Sequence, residues 1–167
     1  MAKNLLKAGH SVTVFDVAPA ALKSAADAGA TVAAQPVDVA KASDVIITML
    51  PSNPHVREVY CGAGGILEGM KPGSLMIDSS TIDPNVAREV AAEVGSAGGH
   101  LVDAPVSGGV GGAEAGTLTF MVGGTQEQFD MATPVLNDMG ANIVHCGDIG
   151  TGQVRAVGER EGGGWVE

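Results

Sequence analysis

Short apolar runs alternate with alanine-rich segments along most of the chain. The runs with the length and composition of buried strands are SVTVFD, DVIITML, GSLMID, GHLVDA, LTFMVGG and ANIVHCG. They are apolar nearly throughout, a pattern typical of strands covered on both faces. The segments between them predict helices that end at Gly29, Gly95 and Gly140. The sequence therefore predicts an α/β domain with a doubly wound, mostly parallel sheet.

The net charge, the lengths of the apolar runs and the cysteine positions limit the classes of molecule that the chain is expected to bind. The chain has 9 basic and 19 acidic residues, and this net charge of -10 repels nucleic acid and anionic membranes. The longest apolar runs, such as Val45–Leu50, are far shorter than a membrane span of about 20 residues. Cys61 and Cys146 lie far apart, without a metal-binding or disulfide pattern, which favours an intracellular protein. We therefore expect small-molecule or protein partners, with no nucleic acid and no membrane.

The residues that follow the strands are the candidate ligand contacts, because ligands of such sheets bind outside the carboxyl ends of the strands. Asp16 ends the first predicted strand. In dinucleotide-binding domains an acidic residue at the end of the second strand hydrogen-bonds the adenosine ribose, about 20 residues after a GxGxxG turn. No GxGxxG occurs in the 167 residues, so this interpretation places the turn upstream of Met1. An aspartate at a strand end is also typical of a helix cap or turn, and the residue alone leaves both roles open.

The segment Asp103–Gly109 reads DAPVSGG and directly follows a predicted strand. A small carboxylate ligand needs several donors aimed at one point. Ser107 and the amides of Gly108 and Gly109 can supply them, because glycine allows a close approach of the backbone. A plain tight turn is the alternative. A serine nucleophile is disfavoured, because its elbow requires GxSxG and position 105 is a proline.

The motifs MAKNLLKAGHSVTVFD, TMLP, LMIDSSTIDP, DAPVSGGVGGAEAGTLTFMVGG and GTGQ follow one another in a characteristic order and spacing. In this the chain resembles the 3-hydroxyisobutyrate dehydrogenases of the β-hydroxyacid dehydrogenase family. The resemblance runs to about Gln153, so residues 1–153 are expected to form an incomplete Rossmann-like NAD-binding domain. It implies NAD-dependent oxidation of 3-hydroxyisobutyrate to methylmalonate semialdehyde, a step of valine catabolism in the mitochondrial matrix of eukaryotes. A glycerate-type dehydrogenase, and a non-catalytic remnant that binds only cofactor or full-length subunits, are the alternatives.

The same resemblance implies which residues contact each ligand. The substrate contacts are Ser107, Gly108 and Gly109. The cofactor contacts are Asp16, Leu50, Pro51, His55 and Thr81, of which Thr81 approaches the nicotinamide. Asp16 favours NAD over NADP, because a carboxylate repels the 2'-phosphate. Thr81 is also a candidate N-cap for a helix that starts near Pro84, and the 4 histidines lack the spacing of metal ligands, so no metal is expected.

The chain departs from the family after GTGQ. The family places a lysine there as proton acceptor, but the aligned position is Ala156, and the last lysine of the sequence is Lys71. Arg155 cannot replace it, because guanidinium does not deprotonate at usable pH. The asparagine positions fall on Glu159 and Arg160. The chain as given is therefore expected to be inactive.

Two further expectations concern the ends of the chain. Residues 154–167 are rich in glycine and lack a helical period, so we expect a disordered tail. The codons for Gln153–Arg155 can form a eukaryotic splice-donor sequence at the point where the family resemblance ends. This predicts that the tail is translated intron sequence or the result of a gene-model error. The resemblance also implies a helical domain that closes the site and mediates dimerisation in the family, and we expect this domain to be missing from the 167 residues. In the strand order 3-2-1-4-5-6 the missing first strand is central, and we expect low stability or aggregation from its loss.

Overall fold

The computed structural model describes the backbone of residues 1–161 and the side chains of residues 1–158. Its helices are α1 (Ala2–Lys7), α2 (Pro19–Asp27), α3 (Pro36–Ala42), α4 (Asn53–Cys61), α5 (Pro84–Ser96), α6 (Gly109–Ala115), α7 (Gln126–Asn137) and α8 (Thr151–Glu161), with a 3₁₀ helix at Ile66–Glu68. Its strands are β1 (Thr13–Val14), β2 (Thr31–Val32), β3 (Val45–Thr48), β4 (Leu75–Asp78), β5 (His100–Asp103), β6 (Val106–Ser107), β7 (Leu118–Gly123) and β8 (Gly140–Gly147). None of these helices is long and apolar enough to cross a membrane.

The strands form two separate sheets. In the smaller sheet β1 pairs with β2 in parallel. In the larger sheet β3, β4 and β5 are parallel neighbours. Strand β7 runs antiparallel to β5 and β6 and parallel to β8. In the predicted Rossmann order 3-2-1-4-5-6, β2 and β1 correspond to strands 3 and 2, and β3, β4 and β5 correspond to strands 4, 5 and 6. The observed orders β2-β1 and β3-β4-β5 agree with this order, in which the missing strand 1 would lie between β1 and β3.

Side chains alternate between two cores, one on each face of the larger sheet. Met76 and Leu101 point to the first core, with residues of α4, α5 and the 3₁₀ helix. Their neighbours Ile77 and Val102 point to the second core, with residues of α7. Both faces of the sheet are therefore covered by helices, which is why its strands are apolar nearly throughout. The predicted α/β class with a doubly wound, mostly parallel sheet is confirmed.

Strands β1 and β3 each have an edge that is unpaired within the described residues. Val45 in β3 is 41% exposed, and Phe15 and Met49, which lie just after β1 and β3, are also exposed. Exposed apolar side chains beside open strand edges favour aggregation. The low stability expected from the sequence stays a prediction, but its structural basis is visible at these edges.

The remaining expectations about local structure are met in part. All six apolar runs contain a strand, although SVTVFD contributes only Thr13 and Val14. The predicted helix ends at Gly95 and Gly140 are wrong. Helix α5 continues to Ser96 and the chain turns at Gly98, whose φ is 84°. Helix α7 ends at Asn137, and Gly140 is the first residue of β8. The short strands β2 and β6 were not predicted, because two residues are too few to show an alternating pattern.

The expected disorder after Gln153 is wrong for the part of the tail that the structure describes. Helix α8 begins at Thr151 and continues to Glu161. Gln153 and Ala156 are buried on it, one turn apart, so the helix is held by packing against the sheet and not by its own apolar period. Residues 162–167 of the predicted tail lie outside the described residues.

A buried polar network joins the ends of β3 and β4 beneath α4. The hydroxyl of Thr48 donates to Oδ1 of Asp78 at 2.9 Å and lies 2.9 Å from the hydroxyl of Tyr60. Tyr60 is fully buried, and Asp78 is 2% exposed. Burial raises the pKa of Asp78, and hydrogen bonds from Ser80 and Thr48 offset part of this rise. The network therefore holds a carboxyl group whose ionisation is costly.

This network predicts a pH-dependent stability difference between the chain and Asp78→Asn. The folded pKa of Asp78 lies above its unfolded value, so the protonated carboxyl stabilises the fold and that contribution is lost as pH rises through the folded pKa. We expect the free energy of unfolding, relative to D78N, to fall as the pH rises from about 4 towards neutral. Urea unfolding of both proteins at several pH values measures it. A difference that grows with pH would contradict the burial of Asp78.

Candidate functional site

Ser80 brings together the loops that follow β3 and β4. Its hydroxyl accepts a hydrogen bond from the amide of Leu50 at 2.8 Å and donates one to Oδ1 of Asp78 at 2.6 Å. The amide of Ser80 also donates to Oδ1 of Asp78, at 3.1 Å. Leu50 and Thr81, two of the predicted cofactor contacts, therefore lie on adjacent loops that are fastened to the same buried carboxylate. The sequence did not indicate Ser80 as the link, because serine is common in such loops.

Gln153 fastens the β4–α5 loop on the other side. Its side-chain amide nitrogen donates to the carbonyl of Ser80 at 2.8 Å, and its side-chain oxygen accepts from the amide of Ile82 at 3.0 Å. Thr81 lies between these two peptide groups and is partly exposed. Within the described residues the hydroxyl of Thr81 has no hydrogen-bond partner. The loop is thus fixed around a hydroxyl that remains available to a ligand.

Asp103 holds the start of α8. Its carboxylate is fully buried and accepts from the amide of Gly150 at 2.6 Å and from the amide of Gln153 at 2.9 Å. Burial raises the pKa of Asp103, and these backbone donors offset part of the rise. A carboxylate at this position satisfies free amides at the helix N-terminus and is stabilised by the helix dipole. Helix α8 is therefore fastened to the carboxyl end of β5.

Two glycines allow this close packing around Asp103. A Cβ atom on Gly123 would collide with Oδ1 of Asp103, and one on Gly152 would collide with the carbonyl of Met121 and lie 2.8 Å from Oδ2 of Asp103. The second glycine of GTGQ thus reflects the approach of α8 to β7. Gly123 lies in the LTFMVGG run and Gly152 in GTGQ, and the sequence alone does not indicate that these two segments are in contact.

Asp16 lies apart from these loops, on the small sheet. It follows β1 and is exposed, and its Oδ1 accepts from the amide of Ala18 at 2.8 Å. Ala18 is the N-cap of α2, so Asp16 shapes the turn into that helix. Its second oxygen has no partner within the described residues, which leaves it free for a ribose hydroxyl. The turn-forming role and the ligand role are therefore compatible.

The other predicted cofactor contacts lie at the start of α4 and of α5. Pro51 is exposed, and His55 is exposed with its Nδ1 2.7 Å from the hydroxyl of Ser52. The alternative in which Thr81 caps the following helix is wrong. The N-cap of α5 is Asp83, whose side chain accepts from the amide of Asn85. Thr81 thus has no capping role that would occupy its hydroxyl.

The predicted substrate contacts lie beyond the carboxyl end of β5. Strands β5 and β6 pair with the same strand, β7, so the chain continues from Asp103 to Ser107 along it. Ser107 is exposed, and Gly108 and Gly109 follow with φ of 129° and 60° at the start of α6. These values lie in the region that favours glycine, so a tight turn is present here. The turn and a ligand seat are compatible at this position.

The site has hydroxyl groups, backbone amides and a carboxylate, but the side chains of α8 that the structure describes, those of residues 151–158, include no base. Ala156, the position aligned with the family's lysine, is 5% exposed and lies one turn after Gln153. The described groups can bind and orient an extended ligand along the carboxyl edge of the sheet. Asp78 and Asp103 are buried beneath the surface of the site and accept bonds from backbone and hydroxyl donors, so neither is placed to contact a substrate.

Comparison with known proteins identifies the family of the chain. The family model for the NAD binding domain of 6-phosphogluconate dehydrogenase matches residues 1–147. A probable mitochondrial 3-hydroxyisobutyrate dehydrogenase of Dictyostelium discoideum is 54% identical over 92% of this chain and 48% of its own length. The mitochondrial 3-hydroxyisobutyrate dehydrogenase of Bos taurus is 54% identical over 94% of this chain and 47% of its own length.

A solved structure of a protein with the same name has the same fold as this chain. The 3-hydroxyisobutyrate dehydrogenase of Mycobacterium tuberculosis, described with L-serine, has a TM-score of 0.90 and 46% identity over 95% of this chain and 53% of its own. The chain thus spans about half the length of the relatives it matches. It belongs to the family of the NAD binding domain of 6-phosphogluconate dehydrogenase, and the three relatives described above are named 3-hydroxyisobutyrate dehydrogenases.

Proposed function

We propose that the chain forms the cofactor-binding part of an NAD-dependent 3-hydroxyisobutyrate dehydrogenase. The observation that carries this proposal is the joining of Leu50 and Thr81 through Ser80 at the carboxyl edge of the sheet. Dinucleotides bind at this edge in doubly wound sheets. The identity of 54% to a relative with that name supports the choice of substrate.

The free groups of the site fit an extended dinucleotide. Asp16 keeps one carboxylate oxygen for the adenosine ribose, and Thr81 offers an unpaired hydroxyl on a fixed loop. We propose that Leu50 and Pro51 line the cofactor between these two points and that His55 borders it. The pyrophosphate has no glycine-rich turn in this sequence, so binding is expected to be weaker than in a domain that has one.

The substrate carboxylate is proposed to bind at Ser107, Gly108 and Gly109. The hydroxyl of Ser107 has no partner within the described residues, and the turn at the two glycines exposes backbone amides. When bound, NAD would supply the acceptor for the hydride that leaves the substrate carbon. The hydroxyl proton needs an acceptor, and alanine at position 156 cannot provide one. The chain is thus expected to bind its ligands without turning them over.

The names of the relatives support a cellular role. The Dictyostelium discoideum and Bos taurus proteins are named mitochondrial. We propose the mitochondrial matrix and the oxidation of 3-hydroxyisobutyrate to methylmalonate semialdehyde in valine catabolism for the whole enzyme. We also propose that its full-length form is a homo-oligomer.

Cofactor binding predicts a thermal shift of the chain. NAD that binds only the folded state raises the free energy of unfolding by RT ln(1 + [L]/Kd), about 2.7 kcal/mol at a hundredfold excess over Kd. We expect a cooperative unfolding transition, followed by circular dichroism, whose midpoint rises with millimolar NAD. A transition that is indifferent to NAD would argue against the proposed function.

The proposed role of Asp16 predicts a change in cofactor preference in Asp16→Asn. Asparagine retains an oxygen for the amide of Ala18 but removes the charge that repels a 2'-phosphate. We expect the ratio of NAD to NADP affinity, measured by calorimetric titration, to fall by about tenfold, or about 1.4 kcal/mol. Asp27→Asn is the matched control, because Asp27 is exposed and pairs only with Lys23. Equal ratios in both variants would contradict the role.

A further inference from the structure

We propose that Gln153 is a positioning residue that holds Thr81 for the nicotinamide end of the cofactor. This inference rests on the proposed function for the identity of the ligand. Its structural part rests on Gln153 alone, which is fully buried although it carries a polar amide. A buried amide in this position needs partners for both its donor and its acceptor.

Both partners of Gln153 come from the residues that flank Thr81. The side-chain nitrogen donates to the carbonyl of Ser80 at 2.8 Å, and the side-chain oxygen accepts from the amide of Ile82 at 3.0 Å. One planar amide thus fixes the peptide groups on each side of Thr81. Rotation of the Thr81 backbone would break one or both of these bonds, so the backbone position from which its hydroxyl projects is fixed by a residue 72 positions later.

Gln153 is itself held in place from the opposite side. Its backbone amide donates to Oδ2 of Asp103 at 2.9 Å, and Gly152 before it packs against the backbone of Met121. The side chain therefore extends from the anchored first turn of α8 to the loop after β4. A short rigid connection of this kind reduces the ordering cost that a ligand would otherwise meet on binding.

The chemistry of the contact favours glutamine over similar side chains. Methionine has a similar length but no donor and only a weak sulfur acceptor, so it would leave the buried Ser80 carbonyl unpaired and the buried Ile82 amide poorly paired. Glutamate keeps an oxygen that can accept from the amide of Ile82. When ionised it has no donor for the Ser80 carbonyl, so that hydrogen bond is lost and two oxygen acceptors face one another. The two substitutions therefore separate the loss of both bonds from the loss of the bond to Ser80.

The experiment compares Gln153→Met and Gln153→Glu with the unaltered chain in two measurements. The first is amide hydrogen exchange of Ile82 by NMR, without ligand. We expect exchange at least tenfold faster in Q153M and protection retained in Q153E. The second is calorimetric titration with NAD and with ADP-ribose, which lacks the nicotinamide. We expect about tenfold weaker NAD binding in Q153M, a smaller loss in Q153E, and ADP-ribose affinity within about twofold of the unaltered chain in both.

Gln128→Met is the matched control. Gln128 also bonds a backbone amide with its side chain, that of Thr125 at the start of α7, but lies outside the site. It should change neither the exchange of Ile82 nor the ratio of NAD to ADP-ribose affinity. If the exchange of the Ile82 amide is unchanged in Q153M, or if Q153M loses affinity for NAD and ADP-ribose equally, the role of Gln153 is overturned while the proposed function stands. Failure of the unaltered chain to bind NAD overturns the proposed function, and with it the cofactor role of Gln153.

Discussion

The structure around the site depends on one buried carboxylate, that of Asp103, placed at the carboxyl end of a central strand. It satisfies the amides of Gly150 and Gln153 at the start of α8. An ionisable group in this environment is costly unless its oxygens are occupied by donors, and backbone amides at a helix start supply them at fixed positions. The carboxylate of Asp103 therefore supplies the acceptors that the amides at the start of α8 need, and those amides supply the donors that the buried carboxylate needs.

Several features of the sequence follow from that requirement. Gly123 and Gly152 lie so close to the carboxylate that a side chain would collide with it. Gln153, fixed by its own amide, extends to the Ser80 carbonyl and the Ile82 amide. A second carboxylate, Asp78, is paired in register with Asp103 on the neighbouring strand and fixes Ser80 from below. The loops that are proposed to contact NAD are thus held by the sheet and by α8 together.

The sequence predicted the parts of the fold that depend on local pattern. Apolar runs marked all the longer strands, and the residues that follow them marked the carboxyl edge. It could not predict that Asp103 and Gln153 meet, because 50 residues separate them and nothing in a single sequence records a contact at that distance. The wrong expectation of disorder after Gln153 has the same origin. Helix α8 is stabilised by its anchor on Asp103 and by burial of Ala156, neither of which appears as a helical period.

An NMR titration of the chain with pH tests the pairing of Asp103 with the start of α8 most directly. Protonation weakens a carboxyl group as an acceptor, so the amide protons of Gly150 and Gln153 should shift together with the carboxyl carbon of Asp103. We expect one shared midpoint, above the value of about 3.9 for an ordinary aspartate, because burial raises the pKa of Asp103. Amide shifts that do not follow the carboxyl carbon would contradict the account.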